Sequence, residues 1–409
     1  MNEKHLRIGF VAPEFVTSKQ YGGLGTYLYK TCSYLKKIGH NPVVIIIGDK
    51  NESLNYNGIE VHTVPKKMEP SFWIANALLL FTLNTSLRIY FKSKRINQRL
   101  KSLNNQDKFD IVQYSNAQFL SLKAPSEIKS VLRLSQYYRE YFKYIYSDSN
   151  SWKNIQKKIV EHIVYKKHKG HIIGPSKTIN KMVKDKTGIA VKHVASPYIP
   201  KPIGKIPGYY EENIIFYFGT YSFSKGSDLL IKVIPRILDQ YPKWRFVSAG
   251  RDTPLKRPYS YRFLNQVLKS SFKLTFTQKL EQSLKKFGSR AIIQKKIPYS
   301  EVITLLHKSK IVVLPSRIDN SPNTLTEALS LNKIVVAAES SSLDELITHG
   351  ENGFIFKNGD PNSLFEVISS VIDTVESDKF RIANKFVTTD AGINVKKLLQ
   401  FYNRILNNY

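Results

Sequence analysis

The sequence predicts an α/β protein made of two doubly wound, Rossmann-like domains facing a cleft. Three observations predict it. Apolar runs of strand length alternate with helical stretches along most of the 409 residues, the pattern of a parallel sheet covered by helices on both faces. The alternation stops at a Pro- and Gly-rich break, KPIGKIPGYYEEN at 201–213, and then starts again. The chain is also longer than the size at which one hydrophobic core usually stops growing.

The first series opens with LRIGFVA from Leu6, a loop at Tyr21-Gly22-Gly23-Leu24-Gly25, and a helical pattern through Leu24, Leu28, Leu35 and Ile38. Gly39 stops that helix, and PVVIIIG follows as a buried strand. IEVHTV, FDIVQY, SVLRLS, GHIIG and VKHVA are further strand candidates. The second series runs NIIFYFG, a helix from Lys225, WRFVSAG, RAIIQKK, KIVVLPS and KIVVAAE. The expected domains are therefore 1–200 and 214–391, with 201–213 as linker and a helix over 392–409 packing back on the first domain. Ligands of doubly wound folds bind outside the carboxyl ends of the strands. No short-period repeat is visible.

Composition narrows the class. An apolar content of 42% and an aromatic content of 12% exclude a disordered or fibrous chain. Cys32 stands alone, so no intramolecular disulfide forms. Its helical surroundings read as those of a small buried hydrophobe, and a reducing compartment is compatible. The run Ile8–Ala12 is too short for a signal-peptide core. The longest apolar stretch, Phe72–Phe91, is broken by Asn76, Asn84 and Arg88, so no transmembrane helix is expected. The expected location is cytoplasmic, with peripheral contact to the inner face of the membrane as a further reading.

The net charge is +30, and residues 1–200 hold 32 basic against 13 acidic residues. Such a field attracts polyanions. No nucleic-acid module is recognisable and the charge is not concentrated in one stretch, so nucleic acid is not an expected partner. Residues 66–104 and 255–290 read as basic helical insertions. The first mixes Phe72, Trp73, Leu78–Phe81 and Ile89–Phe91 with Lys92, Lys94, Arg95 and Arg99. An interfacial helix on an anionic membrane has this composition. So does an amphipathic helix packed on its own sheet.

Three segments carry candidate chemistry. Gly22 and Gly23 sit between a strand and a helix, where bare backbone amides and a helix start suit a phosphate. The spacing is not GxGxxG, and only Asp49 could close the second strand as an acidic residue; a tight turn explains the glycines equally well. Lys225-Gly226 begins the first helix of the second domain, where a lysine can neutralise a diphosphate. The most informative stretch is Pro315-Ser316-Arg317-Ile318-Asp319-Asn320-Ser321-Pro322-Asn323-Thr324-Leu325-Thr326-Glu327. It follows a strand and enters a helix, with Pro322 suited to the first turn. Amides at Asn323–Leu325 would face phosphate oxygens, while Asp319 and Glu327 would accept hydrogen bonds from hydroxyls. That division fits a sugar nucleotide. The plainer alternative is that Asp319 caps the helix and Glu327 is solvated.

This stretch resembles the E-x7-E signature of family-4 retaining glycosyltransferases, with Asp319 at the first acidic position and Glu327 at the second. The flanks EALSLNKIVVAAES, Leu343–Ile347 and Gly350–Phe354 agree, as do YGGLGTYLYKTCSYLKKIGHNPVVI and FGTYSFSKGSDLL. The resemblance implies the GT-B fold. It also implies transfer of a sugar from a UDP- or GDP-type donor to a hydroxyl of a glycan or lipid-linked acceptor, with retention and without a metal or other cofactor. Surface polysaccharide or glycolipid synthesis is the setting it suggests.

Carried over by position, Glu327 binds the donor ribose. Asp319, Asn320 and the following backbone bind the transferred sugar. Gly23 with Gly22, Thr220, Lys225, Asn323, Thr324 and Leu325 surround the diphosphate, and Pro298 packs against the base. Lys225, Asp319 and Glu327 are the catalytic candidates. The family's histidine is replaced by Ser135-Gln136-Tyr137, and Thr220 stands where a basic residue is usual, with Arg251 and Arg317 as candidate substitutes. The alternative on the same fold is a nucleotide-sugar-binding subunit of weak activity. An epimerase of similar build would need no acceptor.

Overall fold

The computed structural model describes residues 5–19, 21–66, 80–145, 151–198, 211–252, 275–295, 297–339, 342–377 and 391–407. Its contacts gather into two units. The first comprises Met1–Arg139, Asn150–Ile199 and Thr389–Tyr409; the second comprises Glu140–Ser149 and Pro200–Thr388. Residues 201–210 of the expected linker lie outside the described residues.

The first unit holds β1 (Arg7–Ala12), β2 (Asn41–Gly48), β3 (Glu52–Tyr56), β4 (Ile59–Pro65), β5 (Ile111–Ser115), β6 (Ser130–Arg133), β7 (Ile172–Gly174) and β8 (Lys192–His193). They form one sheet in the order β3-β4-β2-β1-β5-β6-β7-β8. β1, β2 and β5 are buried along nearly their whole length, as expected of central parallel strands covered on both faces. Between the strands run α1 (Gly23–Lys37), α2 (Leu80–Gln106), α4 (Trp152–Lys167) and α5 (Lys177–Thr187). α3 (Tyr138–Ile145) joins the two contact units in sequence.

β3 departs from the parallel expectation, since it pairs antiparallel with β4. The cause is local. Asn57 and Gly58 hold φ of 50° and 78°, the two positive values of the tightest hairpin turn, for which Asn-Gly is the preferred pair.

The expected insertion over 66–104 is partly placed. Residues 67–79 lie outside the described residues. Farther along, Ser93, Ile96, Asn97, Leu100 and Leu103 of α2 are buried, at helical spacing. That part is ordinary packing of a helix on its sheet.

The second unit holds β9 (Glu212–Phe218), β10 (Arg245–Ala249), β11 (Ala291–Gln294), β12 (Ser309–Leu314), β13 (Ile334–Ala338) and β14 (Gly353–Phe356). Every pair is parallel, in the order β11-β10-β9-β12-β13-β14. The order reverses between β9 and β12, which makes the carboxyl ends of these two neighbours the expected ligand edge. Its helices are α6 (Ser227–Gln240), α7 (Phe276–Leu284), α8 (Tyr299–Lys308), α9 (Asn323–Ser330) and α10 (Pro361–Glu376). Of the insertion expected over 255–290, residues 255–274 lie outside the described residues, and α7 with the 3-10 turn Lys285–Arg290 forms the remainder.

The chain then returns to the first unit. α11 (Ala391–Asn407) buries Val395, Leu398, Leu399, Phe401, Tyr402 and Ile405 in a core shared with Leu6, Ile8, Phe10, Leu28 and Cys32. Tyr402 donates to Gln113 Oε1 on β5 at 2.8 Å. Each large apolar side chain buried this way stabilises by roughly 1.5–3 kcal/mol relative to leaving it in water. Cys32 is fully buried and its thiol is pushed far up by desolvation, so it serves as a core residue.

Candidate functional site

The loops after β9 and β12 meet at the switch point of the second sheet. The first is Gly219–Gly226. Gly226 is the N-cap of α6 at φ 72°, and a Cβ there would lie 2.0 Å from the Pro315 carbonyl oxygen. Only glycine lets the two loops approach this closely. Arg317 N donates to Ser224 O at 2.9 Å, which fastens one loop to the other. Lys225, expected to begin the helix, lies two residues before it.

From this position Lys225 Nζ donates to Asp319 Oδ2. The Lys225 side chain is 28% exposed and that of Asp319 is 11% exposed, so the pair is accessible from the lysine side. Asp319 Oδ1 also accepts from Asn320 N at 2.8 Å, and Asp319 O accepts from Ser342 Oγ at 2.9 Å. Asp319 therefore does not cap α9. The N-cap is Pro322, one residue earlier in the helix than the sequence suggests, and no side chain caps the helix start. The first-turn amides of Asn323, Thr324 and Leu325 have no partners within a helix, by geometry. Leu325 buries its side chain completely, so only its backbone can serve a ligand.

Glu327 lies one turn into α9 and is not simply solvated. Its Oε1 accepts from the Tyr299 hydroxyl at 3.0 Å. Tyr299 follows Pro298, which is the N-cap of α8. Pro298 and Glu327 are thus linked through one side chain that the sequence did not single out.

Arg317 does not stand in for a basic residue at 220. Its guanidinium holds Asp228 in a fork at 2.7 and 2.8 Å, donates to Phe223 O at 2.7 Å, and stacks on the Phe223 ring. A buried arginine matched this way to a carboxylate is a structural brace. Arg251, by contrast, is exposed just past β10. Its carbonyl accepts from Tyr221 N at 2.9 Å, and Gly250 leaves no room for a Cβ against Gly219 O. Arg251 therefore begins beside Thr220, whose own carbonyl accepts from the Tyr217 hydroxyl at 2.9 Å.

The remaining candidates belong to the first unit. Gly22 is the N-cap of α1 and Gly23 its first residue. The amides of Gly22 and Gly25 donate to Glu14 Oε1 at 2.8 and 3.2 Å. A carboxylate of the chain itself thus sits at this helix start. After β6, Ser135 N donates to Asn116 Oδ1 at 2.7 Å and the Ser135 and Ser115 hydroxyls lie 2.8 Å apart. Asn116 donates to the Tyr165 hydroxyl at 3.2 Å, which donates to Glu161 Oε1 at 3.0 Å. Tyr137 is fully buried. A buried polar network, and no histidine, shapes this turn.

Two Rossmann-like units, the second with a lysine–carboxylate pair and an open helix start at its switch point, define the fold of the GT-B glycosyltransferases. Residues 203–385, which fall in the second unit, match the family model described as "Glycosyl transferases group 1". Among curated proteins, the chain is 24% identical over 169 residues to the lipopolysaccharide core biosynthesis mannosyltransferase LpcC of Rhizobium leguminosarum bv. viciae, covering 41% of this chain and 42% of that one. An uncharacterised glycosyltransferase of Methanocaldococcus jannaschii is 30% identical over 81 residues, 20% of this chain and 23% of that one. The chain thus spans less than half the length of these relatives.

Solved structures share the architecture at low identity. Sucrose-phosphate synthase from Thermosynechococcus elongatus gives a TM-score of 0.72 at 11% identity, over 99% of this chain and 100% of that one. HepE from Anabaena, in complex with UDP and glucose, gives 0.65 at 15%, over 98% and 100%. At these identities the likeness establishes the fold alone.

Proposed function

We propose that the protein is a retaining glycosyltransferase that moves a sugar from a nucleoside-diphosphate donor to a hydroxyl of a glycan or lipid-linked acceptor. The observation that carries this reading is the meeting of Lys225 and Asp319 at the β9–β12 switch point, beside the uncapped start of α9. Positive charge and bare amides suit the diphosphate; carboxylates at Asp319 and Glu327 suit sugar and ribose hydroxyls. In the transfer, the bond from the sugar C1 to the diphosphate oxygen breaks and its electron pair leaves with the nucleoside diphosphate. The acceptor oxygen bonds C1, and its proton goes to the departing phosphate. Lys225 and the α9 amides stabilise the negative charge that builds on the leaving group. No step draws on a metal.

The relatives support the same reading: a lipopolysaccharide core mannosyltransferase, and HepE with UDP and glucose. They favour a role in surface polysaccharide or glycolipid synthesis, to which we add, as our own proposal, a setting at the inner face of the membrane. A second reading, a nucleotide-sugar-binding subunit of weak activity, is favoured by Thr220 and by the engagement of Arg317 with Asp228. The test is a panel of UDP- and GDP-sugars, scored for binding and for slow hydrolysis, with the Glu327→Ala variant alongside. Binding that weakens in the variant, with hydrolysis of one donor, supports the transferase. Binding without hydrolysis or transfer to any acceptor favours the second reading. Unchanged binding in Glu327→Ala overturns the site.

A further inference from the structure

α4 is amphipathic in an unusual sense. On one face Asn154, Val160, Glu161, Val164 and Tyr165 are buried in the first unit, as is Gln156 at the edge of this face, where its Oε1 accepts from Ser86 N of α2 at 2.9 Å. At about 100° per residue, the opposite face runs through Trp152, Ile155, Ile159, Ile163 and Lys166. A surface helix ordinarily carries polar residues there. Here Trp152 is 50% exposed, Ile159 51% and Ile163 47%, which makes an apolar ridge along three turns. The helix has five lysines, Lys153, Lys157, Lys158, Lys166 and Lys167, and its one acidic residue, Glu161, is buried. The exposed face therefore carries no negative charge.

We infer that this face of α4 docks on an anionic lipid surface, with Trp152, Ile159 and Ile163 entering the acyl boundary and Lys153, Lys158 and Lys166 meeting the headgroups, while Lys167 stays bonded to the Leu122 and Ala124 carbonyls. An apolar ridge bordered by lysines is the composition that binds such an interface. The other occupants fit less well. A second copy of a chain with a net charge of +30 would be repelled rather than drawn to this face. A nucleic-acid backbone has no use for two exposed isoleucines at its centre. The inference rests on the membrane setting proposed above and not on the donor chemistry, and it adds α4 to the contact expected within residues 66–104, of which 67–79 lie outside the described residues.

The test uses the full chain and vesicles of phosphatidylcholine alone or mixed with phosphatidylglycerol, read by co-sedimentation. The parent protein is expected to bind the mixed vesicles and not the neutral ones. Ile159→Ser with Ile163→Ser is expected to reduce that binding about tenfold, with circular dichroism unchanged because both side chains are exposed. Lys158→Glu with Lys166→Glu is expected to abolish the preference for the anionic lipid. The inference fails if the parent ignores both vesicles or if the isoleucine variant binds like the parent. It also fails if the isoleucine variant dissolves a lipid-free dimer of the parent, which would make a second copy the occupant. Donor binding by the variants is expected to stay intact, which keeps this result separate from the reading of the second unit.

Discussion

At the scale of single residues, Lys225 is the most consequential side chain. Its pairing with Asp319 holds the ammonium at the loop edge. Lys225→Ala is expected to weaken a nucleoside diphosphate by about 10–100-fold, the worth of one charge-assisted contact. A nucleoside monophosphate, with no second phosphate to hold, should change little; calorimetry with the two ligands checks the contrast. Arg251→Ala is expected to cost the same diphosphate several-fold, since Arg251 begins beside Thr220 while Arg317 is held by Asp228. Equal affinity in that variant would leave Lys225 to act without a cationic neighbour. Lys225, Asp319 and Glu327 were singled out by spacing and flanks because the first two lie on short loops after strands and the third in the helix that follows. Tyr299, Asp228 and Glu14 were not. Tyr299 reaches Glu327 across 28 positions of sequence and Asp228 reaches Arg317 across 89, and nothing local marks either one.

At the scale of elements, the loops that build the site are held by backbone geometry more than by side chains. Gly226→Ala would set a Cβ against the Pro315 carbonyl in a left-handed conformation. It is expected to destabilise the second unit by about 2–4 kcal/mol and to lose donor binding with it, measured by denaturant unfolding.

A pH effect belongs to α4. Burial pushes the Glu161 carboxyl up to about 7, only partly offset by the Tyr138 amide and the Tyr165 hydroxyl. The folded chain therefore keeps a proton that the unfolded chain releases between about 4.5 and about 7. The resulting stability is full below the lower value and is lost as pH rises through the upper one. Glu161→Gln keeps an acceptor oxygen and cannot ionise. Above pH of about 7 it should be more stable than the parent by on the order of 3 kcal/mol, and its melting temperature should be flat across the same window. The strands of both sheets were legible as apolar runs, with two exceptions. β3 is an edge strand, ESLNY, with little apolar content, although Asn57-Gly58 beside it was a hairpin signal in plain view. β14 opens on Gly353 directly after the turn at Gly350–Asn352, so it reads as part of a loop.

At the scale of the whole molecule, the notable feature is a discontinuous first unit. Its core is completed by α11, which follows the entire second unit in sequence. A chain ending at residue 390 should expose Leu6, Ile8, Phe10 and Leu28 where Val395, Leu398 and Tyr402 had covered them. It is expected to lose the first unit's cooperative unfolding transition while the second unit keeps its own, as differential scanning calorimetry would record. Salt acts at this scale too. With a net charge of +30, binding to any anionic surface should weaken steeply between low and physiological ionic strength. No described helix is long and apolar enough to cross a membrane.

The same discontinuity reverses the usual order of events on the ribosome. Domains commonly fold in the order in which they are made. Here β1 and its neighbours emerge before the second unit, but they must wait, with an apolar flank uncovered, until Ala391–Asn407 has been made. The second unit needs nothing that follows residue 388 and can settle before its predecessor is finished. The nascent first unit is therefore the stretch most in need of a holding chaperone, and a stalled or prematurely terminated chain would leave the second unit folded and the first unable to close.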